Sequence, residues 1–231
     1  MIHLASIPEL DETYLQSLFR AHVSVKMLAV ADHSETLFPD EQSLLQNVAS
    51  KRREEFSTGR FCARKALETL KLHPEPILPG ERREPLWPKG VTGSISHTGG
   101  CCLAAVSRDR RLLSLGLDVE KREPIETGVR DRVCLPEELR KLGPYRDEPE
   151  IWTLIFSAKE SVYKSLYPLV RQWIGFSQAS LRFDFVNAGF SVEMDKSLNI
   201  APEILQNLRG RFVFSDDFIF TCVEIASPDK T

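Results

Sequence analysis

The stretch Gly116-Leu117-Asp118-Val119-Glu120 carries two carboxylates, two residues apart, in an otherwise apolar run. In a strand, side chains at i and i+2 leave the same face, so Asp118 and Glu120 point together while Leu117 and Val119 enter the core. Two like charges held that close need a cation between them, and carboxylate oxygens without a neighbouring His or Cys suit Mg2+ better than zinc. Taken alone, the pattern also describes an edge strand with two solvated acids.

The composition is that of an ordinary globular protein with one large domain or two small ones. The chain has 231 residues, 42% of them hydrophobic, which is enough for a core. A net charge of -3 argues against a bulk nucleic-acid binder. The five Cys fit neither a disulfide framework nor a zinc site, which indicates a reducing compartment. With no signal-peptide pattern and no run that approaches a membrane span, we expect a cytoplasmic protein that has no membrane partner.

A cation-rich segment, Lys51 to Leu67, lies within a helix-like stretch from Glu41 to about Leu72, with an interruption predicted near Ser57 to Gly59. In a helix, Arg60 and Arg64 stack one turn apart on a flank. The segment is either a solvated charged face or a platform for anions, because Arg offers a rigid fork for bidentate phosphate contacts.

Two polar segments follow that helix. Residues 73–93, rich in Pro and Gly, predict an ordered loop with Arg82 and Arg83 at its centre. Gly93 to Gly100, GSISHTGG, predicts a short strand that runs into a glycine turn, where a ligand can approach the backbone closely. A single histidine such as His97 is more often structural than catalytic, so this segment alone assigns no chemistry.

The clearest helix runs from Glu150 to Val170 and has one apolar stripe. Glu160 and Lys164 lie along its flank, where they could be only a surface pair worth a few tenths of a kcal/mol. Lys159 falls inside the apolar stripe, so its ammonium must snorkel to solvent or meet an anion.

The remaining patterns predict strands and their connections. Residues 22–31 predict a first strand, and Arg108 to Arg111 predicts a hairpin turn into the strand Leu112 to Lys121. Short helices are predicted to about Cys134 and from Pro136 to Leu142. Each half thus contains a strand, helices and a strand hairpin, which predicts two similar lobes. Later strands are predicted at Ser180–Val186, Phe190–Met194, Gly210–Phe214 and Phe218–Ile225, before a loose tail from Ser227 to Thr231.

Three stretches together resemble the 4'-phosphopantetheinyl transferases of the monomeric, pseudo-dimeric type, the enterobactin synthetase component D group. They are KRREEFSTGRFCARKAL, then PLWPKGVTGSISHT with GLDVE, then FSAKESVYK, and the match covers roughly residues 45–170. The resemblance implies an α+β fold of two lobes related by a pseudo-two-fold, each with a small, mostly antiparallel sheet packed on helices. It places coenzyme A-binding cations in lobe 1–115, metal acids and the long helix in lobe 116–231, and the active site between them.

The resemblance also implies an activity. Members of this family move the 4'-phosphopantetheine arm of coenzyme A to a serine of an acyl or peptidyl carrier protein, with Mg2+ or alternatively Mn2+, and release adenosine 3',5'-bisphosphate. Such carriers serve siderophore, polyketide, nonribosomal peptide and fatty acid synthesis. The resemblance implies Asp118, Glu120 and Glu160 as metal ligands, with Glu160 also as base. It implies Ser96 and His97 at the coenzyme A phosphates and Lys164 on the pyrophosphate. It further implies Arg60 with Arg52 at the 3'-phosphate, Arg82 or Arg83 at the adenine, and Lys159 beside the helix acid on the cofactor side.

Two other functions stay open at this point. A Mg2+-dependent pyrophosphohydrolase that cleaves coenzyme A or a nucleotide needs the same ions and no protein acceptor. A nucleic-acid binder could use the cations from Lys51 to Lys65, but they lack an aromatic stacking platform and the total charge is acidic. We therefore expect coenzyme A and a carrier protein as partners, no nucleic acid, and a monomer.

Overall fold

Helices and strands occur in groups along the described part of this computed structural model, which comprises Ile7 and residues 10–228. The helices are α1 (Glu12–Ser17), α2 (Pro39–Ser43), α3 (Ser50–Thr69), α4 (Thr127–Val133), α5 (Pro136–Lys141), α6 (Glu150–Val170) and α7 (Pro202–Gln206). The strands are β1 (Ser24–Ala29), β2 (Thr92–Thr98), β3 (Cys101–Ser107), β4 (Leu112–Lys121), β5 (Ala179–Asp184), β6 (Gly189–Met194), β7 (Leu208–Phe214) and β8 (Phe218–Ala226). Short 3-10 turns lie at Ser34–Thr36, Gly143–Tyr145, Phe176–Gln178 and Lys196–Leu198.

The strands form two antiparallel sheets with related topology. The first has the order β1-β3-β2 and the second the order β4-β8-β7-β6-β5. In each sheet, a long helix follows the first strand along the chain. The last strand then inserts between the first strand and the strand before it: β3 lies between β1 and β2, and β8 lies between β4 and β7. The β5-β6 hairpin extends the second sheet. The α+β fold with two similar lobes, predicted from the sequence, is thereby confirmed.

The two long helices cover the two sheets. α3 packs small buried side chains such as Cys62, Ala63 and Ala66 against the first sheet. α6 packs its apolar face against the second, and it approaches β4 so closely that a Cβ on Gly116 would lie 1.9 Å from the carbonyl oxygen of Ser161. Only glycine permits this spacing, which sets the distance between the acids of β4 and the polar flank of α6. None of the described helices is long and apolar enough to span a membrane.

The interruption predicted near Ser57 to Gly59 is wrong, since α3 runs straight through it and the break lies at residues 44–49. Ser57 and Thr58 are fully buried and accept hydrogen bonds from the backbone N–H groups of His33 and Ala31. These hydroxyls therefore tie a neighbouring loop to the helix and do not end it, a role that depends on tertiary contacts.

The predicted hairpin at Arg108 to Arg111 is also wrong, because β3 and β4 belong to different sheets and β4 pairs with β8. The turn instead carries the chain from one sheet to the other. The predicted lobe boundary between residues 115 and 116 falls inside β4 (Leu112–Lys121) and stays a prediction. Of the loose tail predicted from Ser227 to Thr231, residues 229–231 lie outside the described residues, as do 1–6 and 8–9 of the first lobe.

Candidate active site between the two sheets

β2 and β4 lie side by side where the two sheets meet, and three hydroxyls of β2 connect them. Ser94 Oγ accepts from the Leu117 amide at 3.0 Å and donates to the Leu117 carbonyl at 3.4 Å. Two residues on, Ser96 Oγ donates to Asp118 Oδ1 at 2.7 Å. The third hydroxyl, on Thr98, donates to Glu120 at 3.2 Å. The two carboxylates predicted to share a face are thus fixed by a row of hydroxyls with the strand period of two.

Lys164 of α6 completes this arrangement. Its Nζ donates to Asp118 Oδ1 at 2.6 Å and to Ser96 Oγ at 3.0 Å. Burial alone would lower the pKa of Lys164, but the carboxylates of Asp118 and Glu160 outweigh it and raise that pKa. Lys164 therefore stays charged and is not a loose surface partner of Glu160.

The acids around Lys164 carry more negative charge than one ammonium neutralises. Burial, together with repulsion from Asp118, raises the pKa of Glu120 to about 7. Burial and Asp118 also raise the pKa of Glu160, against the opposing effect of Lys164. Asp118 has a side chain only 3% exposed, and its Oδ2 is buried without a hydrogen-bond partner among the described residues. A buried, unpartnered carboxylate oxygen beside two carboxyl groups that lack a cation is a donor set that a hard divalent cation fits.

The acids are not yet arranged as a complete set of ligands. Within the described ranges, no three His, Cys, Asp or Glu side chains are positioned together to hold a metal ion. At Asp118, the Lys164 ammonium contacts Oδ1, and Oδ2 has no hydrogen-bond partner among the described residues. Mg2+ commonly takes only one or two protein carboxylates and completes its shell with water and phosphate, so the fit does not require three.

A cavity of about 530 Å3 lies beside this cluster and is lined by cations. Arg60 is 7% exposed, donates from Nε to the Ile77 carbonyl and lies 4.4 Å above the Phe56 ring. No carboxylate of the described residues forms an ion pair with it, and burial lowers its pKa to about 10. A buried guanidinium without a counter-ion makes this cavity receptive to an anion. The lining also includes Arg52, Glu55, Arg83 and His97.

His97 lies at the boundary between this cavity and the acid cluster, one residue along β2 from Ser96. Its Nδ1 is 3.9 Å from Glu55 Oε1. Burial lowers the pKa of His97, and the Glu55 carboxylate opposes that shift. At neutral pH the His97 imidazole is therefore uncharged and can donate one hydrogen bond and accept another.

Two further cavities, each of about 240 Å3, lie along α6 and share Arg82, Glu160 and Tyr163 as lining residues. The Tyr163 hydroxyl is buried and has no hydrogen-bond partner among the described residues. The Arg82 guanidinium lies 6.0 Å from the ring of Trp173, which is 59% exposed. Glu160 therefore lines both of these cavities, and Lys164 lines the first of them.

Two predicted cations have their charge satisfied elsewhere. Arg64 lies one turn from Arg60 on α3 and is buried like it, but it forms an ion pair with Glu41 at 2.8 Å. Lys159 Nζ donates to Glu138 at 2.9 Å and to two backbone carbonyls at 2.7 and 2.9 Å. Of the two alternatives for Lys159, the structure shows the anion, but that anion is a protein carboxylate. Its ammonium, predicted to lie on the cofactor side, has no donor left for a phosphate.

Sequence reasoning missed several residues that build the site. Ser94 and Thr98 flank Ser96 at i-2 and i+2, so the period-two pattern of hydroxyls in GSISHT was the available signal. Glu138 stands at the third position of α5, after a proline, where it caps the backbone of Leu135. That sequence pattern predicts the cap. The ion pair of Glu138 with Lys159 joins two different helices, so no local sequence pattern predicts it.

Comparison with known proteins matches the chain to two family models. One is the 4'-phosphopantetheinyl transferase N-terminal domain, over residues 40–107, and the other the 4'-phosphopantetheinyl transferase superfamily, over residues 114–222. The chain is 35% identical over 195 residues to 4'-phosphopantetheinyl transferase PptT of Mycobacterium tuberculosis, covering 81% of this chain and 86% of that protein. It is 38% identical over 202 residues to 4'-phosphopantetheinyl transferase Svp of Streptomyces mobaraensis (84% and 81%). Enterobactin synthase component D of Salmonella typhimurium is 37% identical over 127 residues (52% and 51%).

Proposed function

The chain belongs to the 4'-phosphopantetheinyl transferase superfamily, and from that premise we propose that the cleft between its two sheets transfers the 4'-phosphopantetheine arm of coenzyme A to a serine hydroxyl of a carrier protein. The observation that carries the assignment to this cleft is the junction of Ser96, Asp118 and Lys164, with Glu120 and Glu160 beside it. Pyrophosphate displacement requires charge neutralisation and alignment more than covalent help from the protein, and these groups supply both.

In this proposal, the adenosine end of coenzyme A occupies the 530 Å3 cavity. Arg60, which is buried and forms no ion pair with a described carboxylate, binds the 3'-phosphate together with Arg52. Arg82 and Arg83 lie on the loop that borders this cavity and the α6 cavities, and they face the adenine side. A charge-assisted hydrogen bond to a phosphate offsets the free-energy cost of burying the Arg60 charge, which no described carboxylate offsets.

The pyrophosphate lies between this cavity and the acids. His97 and Ser96 contact its oxygens from β2, and Lys164 contacts them from α6. Asp118, Glu120 and Glu160 would hold Mg2+, or Mn2+ with the same oxygen donors. When bound, the ion neutralises charge on the pyrophosphate and on the leaving bisphosphate.

Glu160 is the base in this scheme. The carrier serine oxygen attacks the phosphorus that bears the pantetheine, and the bond from that phosphorus to the bridging oxygen breaks. The serine proton passes to Glu160, directly or through one water, and adenosine 3',5'-bisphosphate leaves. Burial raises the pKa of Glu160 and so makes its carboxylate a stronger base than an exposed one.

The partners follow from the reaction. Acyl carrier proteins and peptidyl carrier domains provide the acceptor serine. The cavities and the acid cluster are built from α3, β2, β4, α6 and the loop around Arg82 and Arg83 of one chain, so we propose a monomer. The five cysteines are free and buried, in keeping with a reducing, cytoplasmic setting.

The test is intact-protein mass spectrometry of apo acyl and peptidyl carriers after incubation with the protein, coenzyme A and Mg2+, with chromatographic measurement of released bisphosphate. We expect each modified carrier to gain the mass of one phosphopantetheinyl arm, matched by one bisphosphate, and to gain nothing with a chelator. Release of bisphosphate without a mass gain on any carrier would refute the transferase and support the pyrophosphohydrolase.

A further inference from the structure

Lys164 holds an oxygen that a metal ion at this site would contact. Its Nζ lies 2.6 Å from Asp118 Oδ1 and 3.0 Å from Ser96 Oγ, while Asp118 Oδ2 is buried without a partner in the described part of the chain. Asp118, the most buried carboxylate of the cluster, thus has the ammonium on one oxygen, while its other oxygen has no described protein donor.

No other described cation competes for this position. Among the ion pairs of the described residues, Lys164 is the one cation that contacts Asp118, Glu120 or Glu160. Its side chain is 26% exposed, so the ammonium reaches the acids from the cleft and is not locked within the core. By contrast, Lys159 on the same helix is 1% exposed and bonded on three sides.

We propose that Lys164 is an exchangeable counter-ion. In the metal-free protein its ammonium neutralises Asp118, and when a divalent cation binds the acids, the ammonium leaves Asp118 and turns toward the phosphate oxygens of the substrate. The second half of this movement rests on the proposed function, and the first half rests on the contacts of Lys164 together with the metal site proposed at the acids. The flexible four-carbon stem allows the exchange without any movement of α6.

The exchange has a consequence for metal affinity. A metal ion that must displace the ammonium binds more weakly than one that meets a free carboxylate, because the Lys164–Asp118 contact is lost as the ion binds. Removing the ammonium should therefore tighten metal binding to the free protein. Coenzyme A, by giving the displaced ammonium a new partner, should tighten metal binding to the wild type more than to a variant without it.

The experiment titrates Mn2+ alone into the metal-free full-length protein and follows the electron paramagnetic resonance signal of unbound Mn2+. We expect Lys164→Met to bind Mn2+ at least tenfold more tightly than the wild type. The factor by which coenzyme A tightens Mn2+ binding should also fall in that variant. Lys164→Gln, which keeps a polar group without charge, serves as a second variant should the methionine disturb folding, as judged by thermal unfolding.

Lys121→Met is the matched control, because it makes the same substitution on the strand that carries Asp118 and Glu120, at a side chain that is 49% exposed and pairs with Glu123 instead of Asp118. We expect a change below threefold for it, which measures the general electrostatic effect. Equal or weaker Mn2+ binding by both Lys164 variants would overturn the exchange, as would an equal gain from Lys121→Met. The titration needs no carrier and no transfer, so its outcome is separate from failure of the wild type to modify carriers.

Discussion

Gly116→Ala tests whether the spacing of β4 and α6 controls the chemistry. The added Cβ would lie 1.9 Å from the Ser161 carbonyl oxygen and 2.8 Å from the Ser165 amide nitrogen. Restoring the shortest tolerable separation of 3.0 Å requires a shift of 3.0 - 1.9, or about 1.1 Å. Both contacts are with helix backbone, so rotation of a side chain cannot relieve them.

That shift reaches the site directly, because Glu160 and Lys164 are neighbours of Ser161 and Ser165 on α6. Added in full to the 2.6 Å between Lys164 Nζ and Asp118 Oδ1, it gives at most about 3.7 Å, so Lys164 must leave its present side-chain conformation to keep this hydrogen bond. A displacement of about 1 Å can cost on the order of 100-fold in rate. Overpacking of this kind typically destabilises by about 1–3 kcal/mol. We therefore expect kcat for carrier modification to fall about 100-fold, with a Tm lowered by several degrees.

The assay measures initial rates of carrier modification well below Tm, with circular dichroism to show that the variant is folded. Gly128→Ala is the matched control, since a Cβ there meets nothing within 4 Å. It lies in a helix, where alanine is the better residue, so activity should be unchanged and Tm equal or slightly higher. A Gly116→Ala protein with wild-type kcat and Tm would refute the reasoning.

Two other expectations concern single cations. Arg60→Met should raise KM for coenzyme A by about 10-fold or more, because a charge-assisted hydrogen bond to a buried group contributes about 1.5–3 kcal/mol. With coenzyme A that lacks its 3'-phosphate, wild type and variant should have similar KM values. A KM difference as large as with intact coenzyme A would show that Arg60 does not bind this phosphate. Lys65→Met, at a lysine on the surface of the same helix, is the control. Lys159→Met should lower the free energy of unfolding by about 3–5 kcal/mol, since it leaves the Glu138 carboxylate buried without its cation. Urea unfolding measures this free energy. The double variant Lys159→Met with Glu138→Gln should recover part of the lost stability. A single variant Lys159→Met as stable as the wild type would contradict the role of the pair.

The fold was predictable where local periodicity determines it. The bounds of the long helix, Glu150 to Val170, coincide with α6, and the strand patterns coincide with the observed strands within a few residues. The errors lie where partners are distant in sequence. The segment Ser57 to Gly59 has the composition of a helix interruption, yet the Ser57 and Thr58 hydroxyls bond to a loop more than twenty residues away. The connection from β3 to β4 has the length of a hairpin, and only the pairing of β4 with β8 shows that it crosses between sheets.

The candidate site divides in the same way. The shared face of Asp118 and Glu120 follows from strand alternation, and the resemblance brought Glu160, Lys164 and Ser96 to the same cluster, where the structure also has them. The partners of Arg64 and Lys159 could not be anticipated, since each is neutralised by a glutamate on another element. A positive charge in a sequence indicates a need for an anion, but does not tell whether a ligand or the protein provides it.

The most direct measurement of the central claim compares carrier modification by Asp118→Asn and Asp109→Asn. Both replace an aspartate by its isosteric amide, but Asp109 lies in the turn before β4 and pairs with Arg111, at the far end of the strand from the cluster. With coenzyme A and Mg2+, followed by intact-protein mass spectrometry, Asp118→Asn should lose modification by at least 100-fold while Asp109→Asn retains it. Equal activity of the two variants would contradict the assignment of the reaction to this cleft.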